Sequence, residues 1–126
     1  MQVASITAMP VNFTGGRPFS VTFETDSAEL DRPSKEQLIW LVGKIIDKEG
    51  STVVVTGHTD ITGPLTHNQR LALERAKSVG EFLISMGLPS ARIKLDGRGP
   101  YEPMGDNKTE DGRAINRRVE LFVMDN

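Results

Sequence analysis

Cysteine is missing from this 126-residue chain, which removes disulfides, thiolate metal sites and cysteine nucleophiles together. Aromatic residues are few, one Trp, one Tyr and five Phe, so no stacking platform for nucleic-acid bases is apparent. Neither charge sign dominates. Fifteen Lys and Arg against seventeen Asp and Glu leave a net charge of −2, which disfavours nucleic acid or an anionic membrane as the main partner. No apolar run approaches the roughly 18 residues that would span a bilayer. The opening MQVASITAMPVNF has no basic start and no apolar h-region, so it does not read as a signal peptide. A cytoplasmic protein, or a mature chain whose targeting segment has been removed, fits that start.

What is present has the proportions of one soluble domain, with 37% hydrophobic and 25% charged residues. Residues 1–15 read as a linker or edge strand, and residues 16–126 as the folded domain. PFSVTF alternates, with Phe19, Val21 and Phe23 on one side, as in a half-buried strand. Pro33 and Ser34 open a helix, Ser34 and Gln37 forming a capping box, and Gly50 ends it. STVVVTG, residues 51–57, has the consecutive valines of a central strand. A second helix covers residues 68–86, with Thr66 and Gln69 as its capping box and Gly87 as its stop. Residues 91–96 form a strand with Ile93 and Leu95 inward, and RRVELFV a last one with Val119, Leu121 and Val123 on one face. The long Gly- and Pro-rich stretch between them invites a functional role.

These elements predict an α/β (α+β) two-layer sandwich: a mixed four-stranded sheet with two long helices on one face, in the order βαβαββ, with room for a short extra helix before the last strand. Strand–helix–strand units imply parallel neighbours joined by right-handed crossovers, with the final strand antiparallel.

One side chain breaks the pattern. At about 100° per residue, Leu71, Ala72, Ala76, Val79, Phe82, Leu83 and Met86 occupy one arc of about 140°, and Arg75 falls inside it with Asn68 two turns earlier. A guanidinium aimed at a core must be paired or must hold a ligand. Asp60, in the loop before this helix, is the well-placed counter-charge. One outcome is a core arginine that merely pins a loop. Buried ion pairs gain little stability, so a pocket sharing these charges with an amino-acid-like zwitterion is the other. Asn68 can donate and accept for either ligand or loop.

Other chemistries find less support. His58, Asp60 and His67 suggest a metal site, but no fixed geometry relates His67 to the others. No nucleophile elbow exists, and GRG at 97–99 is too short for a phosphate-binding fingerprint. No catalytic residue, metal or cofactor is therefore assigned, and an enzyme is not expected. RAINRR at 113–118 is either a solvated turn or a second source of cations for the pocket, through Arg117 or Arg118.

The stretches VTFETDSAEL, VVVTGHTDITGPLTHNQRLALERAKSV, GRGPYEP and DNKTEDGRAINRRVEL together resemble the C-terminal domain of outer membrane protein A. This OmpA-like peptidoglycan-binding family includes the peptidoglycan-associated lipoproteins and the periplasmic part of the stator protein MotB. The match runs from about Phe19 to Val123. It implies non-covalent, non-catalytic binding of the cell-wall peptide stem at its diaminopimelate residue. The implied contacts are Asp60, with Thr59 beside it in the GHTD loop, then Asn68, Arg75 and Arg117. The loop after the first strand, with Phe23 and Thr25, borders the ligand. One departure is Leu71-Ala72 where the family commonly has Leu-Ser, which keeps the packing and loses a hydroxyl. The resemblance places the protein in the periplasm or cell envelope, tethered to the outer membrane in its full-length form. The alternative is a structural module that homodimerises or contacts an envelope protein. Diaminopimelate has a free second amino-acid centre, whereas lysine lacks its carboxylate. Lysine would leave Arg75 unpaired, a loss of about 2–5 kcal/mol.

Overall fold

A computed structural model describes residues 18–124; the linker or edge strand expected at residues 1–15 lies outside them. The elements are β1 (Phe19–Thr22), α1 (Arg32–Ile45), β2 (Thr52–His58), α2 (Leu65–Ser85), a 3₁₀ turn (Ser90–Arg92), β3 (Ile93–Gly99), α3 (Glu110–Asn116) and β4 (Arg118–Met124). The expected order of strands and helices is observed, and α3 is the short extra helix. The four strands form one mixed sheet in the order β1-β4-β2-β3.

The neighbour relations differ from expectation in one place. β2 and β3 are parallel neighbours, but β4 lies between β1 and β2, antiparallel to both. Burial explains the insertion. Val119, Leu121 and Val123 are all fully buried, and a strand contributing three such side chains belongs in the middle of the sheet. β1, with four residues, takes an edge. The apolar faces of both long helices meet the sheet in one core: Leu38, Leu41 and Ile45 from α1 and Ala76, Val79 and Leu83 from α2 pack with Val53, Val55 and Leu121.

Both capping expectations fail. α1 is capped by Asp31, whose Oδ1 accepts from the Ser34 amide at 2.9 Å; that bond holds the Asp31 carboxyl below its ordinary value. α2 begins at Leu65, after Pro64, with no side-chain cap. Gln69 instead reaches the Tyr101 hydroxyl, and Asn68 turns back into the preceding loop. α1 stops at Ile45 rather than at Gly50. Its end is closed from a distance by Arg92, whose guanidinium donates to the carbonyls of Ile45, Ile46, Lys48 and Ser51. Gly87 does end α2, in a left-handed conformation (φ 106°) that suits a glycine there. In β3, Ile93 packs against the core, but Leu95 is 43% exposed. β3 is an edge strand, and Leu95 lies over Gly80 at the margin of α2.

One close approach sets the position of the loop that follows β2. A Cβ on Gly57 would stand 1.8 Å from the carbonyl oxygen of Ala72. The end of β2 therefore lies directly against the backbone of α2, and only glycine permits it. Gly57→Ala is expected to destabilise the domain by about 3 kcal/mol or more, since neither backbone can yield without unpairing the sheet. Urea unfolding checks this; a loss under 1 kcal/mol would show that the two elements can separate freely.

Candidate functional site

Arg75 is fully buried. Its Nε donates to the Ser27 carbonyl at 2.8 Å, Nη1 to the His58 carbonyl at 2.9 Å and Nη2 to the Glu24 carbonyl at 3.0 Å. The guanidinium also lies 5.4 Å from the centre of the Phe23 ring. One side chain of α2 thus ties together the turn after β1 and the end of β2. Burial pulls its pKa down to about 10, opposed in part by the nearby Asp60 charge, so it remains a cation at neutral pH.

The expected direct partner of Asp60 was Arg75; the observed one is Arg117. Asp60 Oδ2 accepts from Arg117 Nη1 at 3.1 Å, and Oδ1 accepts from the Thr62 amide at 2.8 Å. The reason is geometric: three backbone carbonyls hold Arg75 in the floor, while Arg117, at the end of α3, reaches in from the side. Arg117 also donates to Glu110 at 2.9 Å and to the Phe23 carbonyl at 3.1 Å. Burial of Asp60 favours its neutral form, yet the Thr62 amide and Arg117 outweigh it and hold the carboxyl below its ordinary value. Burial likewise opposes the Arg117 cation, and Glu110 and Asp60 more than restore it.

These groups surround a cavity of about 470 Å³ whose lining includes Thr25, Thr59, Asp60, Asn68, Arg75 and Arg117. Six of the seven residues expected at the site thus share one cavity. Phe23 does not line it; it lies beneath, 5% exposed, under the Arg75 guanidinium. Asn68 donates to the Thr62 carbonyl at 2.9 Å and shapes the loop between β2 and α2. Thr59 bonds the Asp60 carbonyl through its hydroxyl and the Gly99 carbonyl through its amide, so β3 also braces that loop. Asp26 and His67 line the cavity as well and contact one another. His67 stands out in the sequence only as a metal candidate, and Asp26 follows Thr25 in the loop after the first strand without a signal of its own.

The metal grouping does not assemble. His67 is on the cavity wall, whereas His58 is buried with its Nε2 3.6 Å from Glu120 Oε1, too far for a hydrogen bond. No cluster of three metal-ligating side chains occurs among the described residues. The His58 contact and the Arg118 bond push the Glu120 carboxyl down to about 2 despite its burial. Arg118, the other cation considered for the pocket, donates to Glu120 and to the Glu102 carbonyl and is not part of the cavity lining.

A family model described as the OmpA family matches residues 22–117, a span that holds every side chain lining the cavity. The chain belongs to the OmpA family. It is 38% identical over 120 residues to the probable lipoprotein YiaD of Escherichia coli, covering 94% of this chain and 54% of that protein. It is 34% identical over 113 residues to the peptidoglycan-binding protein ArfA of Mycobacterium bovis, covering 90% of this chain and 34% of the relative. The chain thus spans about half, or less, of the length of these curated relatives. The peptidoglycan-associated lipoprotein of Burkholderia pseudomallei superposes with a TM-score of 0.79 at 25% identity, covering 82% of this chain and 88% of that one. None of these OmpA-family relatives is named as an enzyme.

Arg75 is a strut of this OmpA-family fold as much as a cavity residue. Arg75→Leu would take the buried donor from three carbonyls, of which the Glu24 carbonyl keeps the Ser27 amide, and is expected to cost about 3–5 kcal/mol. Equilibrium unfolding checks this. A variant as stable as the parent would show that water can replace the guanidinium.

Proposed function

We propose that this domain binds peptidoglycan non-covalently, taking the diaminopimelate of the peptide stem into the cavity, and so anchors an envelope protein to the cell wall. The supporting observation is a buried cation without a carboxylate partner among the described residues. Asp60, Arg75 and Arg117 all stand at 6% exposure or less, giving two buried cations to one buried carboxylate. Glu110 answers Arg117 from the solvent side, its side chain 62% exposed. Among the described residues Arg75 has only carbonyl hydrogen-bond partners, and it is placed to receive an added carboxylate through the N–H groups those bonds leave over. The Asp60 carboxylate has lone pairs beyond those used by Thr62 and Arg117, which suit a ligand ammonium. A zwitterionic amino-acid end meets both demands. The peptidoglycan-binding protein ArfA and the peptidoglycan-associated lipoprotein of Burkholderia, both similar to this chain, support this reading, which puts the domain in the cell envelope. No helix among the described residues is long and apolar enough to cross a membrane.

Retention on purified sacculi tests the proposal. Asp60→Asn keeps an acceptor for the Thr62 amide and removes the charge, so the variant should stay folded and lose retention; undiminished retention overturns the reading. In an NMR titration, diaminopimelate should bind at least about 30-fold more tightly than lysine, the equivalent of about 2 kcal/mol for an unmatched buried charge.

The pH dependence follows from Asp60. Its carboxyl is depressed below 3.8, so the Asp60 charge, and the share of binding that depends on it, is complete above that value and is lost as pH falls through the lower one. The retention that depends on Asp60 should therefore persist at pH 4.5, and its abolition already at that pH would contradict the salt-bridged mode.

A further inference from the structure

The cavity has two acidic contacts of opposite character. Asp60 is deep, its side chain 8% exposed, and is bound to Arg117, whose side chain is 7% exposed. Asp26 and His67 are at the open side, with side chains 68% and 44% exposed, and are bound to one another. Asp26 comes from the turn after β1 and His67 from the first turn of α2, so their contact joins two walls of the same cavity. The Asp26 turn is well fixed. Arg75 holds the Glu24 and Ser27 carbonyls on either side of it, and Asp26 itself adopts a left-handed backbone, φ 57°.

We propose that His67 is an internal competitor for the ligand ammonium: it occupies Asp26, the outer carboxylate of the cavity, which would otherwise add its attraction to that of Asp60 for an entering ammonium. The inference rests on the binding function proposed above and adds a determinant of its strength. A protonated imidazole forms an ion pair with Asp26 and neutralises the carboxylate. A neutral one offers a hydrogen bond only and yields more readily to a ligand cation. The other charged groups of this cavity are Asp60 from the loop after β2, Arg75 on α2 and Arg117 ahead of β4; Arg70 and Glu74 on the same helix are exposed. Asp60 stays ionised throughout the range in which imidazoles titrate, because its carboxyl is depressed. The arginines stay charged there too. A change in affinity between pH 5.5 and 7.5 therefore points to the histidine.

Calorimetric titration of the domain with diaminopimelate at pH 5.5 and 7.5 tests this. The parent should bind more tightly at the higher pH by about two- to fivefold, the range of an exposed ion pair. His67→Gln should bind at both pH values like the parent at pH 7.5 or better. Asp26→Asn should weaken binding at pH 7.5 and also lose the slope. Any titration of the ligand itself is common to parent and variants, so the difference between profiles isolates the pair. A parent that binds with a flat profile, or a His67→Gln variant that keeps the slope, overturns the competitor role and leaves the cavity's function standing. Absence of diaminopimelate binding to the parent at either pH would remove both.

Discussion

A permanently charged guanidinium in the core, satisfied by three backbone carbonyls, is the constraint around which this domain is organised. Arg75 cannot discharge at neutral pH even with its pKa drawn down to about 10. Its burial therefore demands that the chain deliver acceptors to it. The turn after β1 supplies Glu24 and Ser27, and the end of β2 supplies His58. Glu24 and Ser27 belong to a turn, and His58 is the last residue of β2, where the register with β3 shifts. They are fixed in space because leaving the arginine unsatisfied would cost several kcal/mol. The cavity walls are a consequence of that demand.

The second cation completes the site from another direction. Arg117 is at the junction of α3 and β4 and reaches Asp60, Glu110 and the Phe23 carbonyl. It links the last part of the fold to the loop after β2 and to the end of β1. The two arginines thus divide the work: one sets the floor from α2, the other orients the carboxylate of Asp60. Such an arrangement leaves Arg75 with carbonyl hydrogen-bond partners alone among the described residues, and that is what gives the carboxylate of the proposed amino-acid ligand its place.

Several features could be read directly from residue order. The alternation of Phe19, Val21 and Phe23 and the valines of residues 53–55 located two strands, and the periodic stripes located both long helices. Arg75 declared itself by falling within the apolar arc of α2, and Asp60 by its place in the loop before that helix. The local signals that misled were those with distant competitors. Ser34 and Thr66 have the spacing of capping boxes, but α1 already starts at Arg32 after Asp31, which puts Ser34 within its first turn, and Pro64 precedes α2 without a side-chain cap. Gly50 marks a turn, yet Arg92, far along the chain, decides where the carbonyls of α1 end.

Sequence alone determined which segments become helix or strand, that an arginine is forced toward the core, and that Asp60, Asn68 and Arg117 belong with it through family motifs. Periodicity and motif spacing are local properties, so they survive without coordinates. Only the tertiary structure decided that β4 separates β1 from β2, that Asp60 pairs with Arg117 while Arg75 serves carbonyls, and that Asp26 meets His67 across the cavity. Those are choices among partners separated by tens of residues, and they are settled by which donors and acceptors the closed chain brings within about 3 Å of one another.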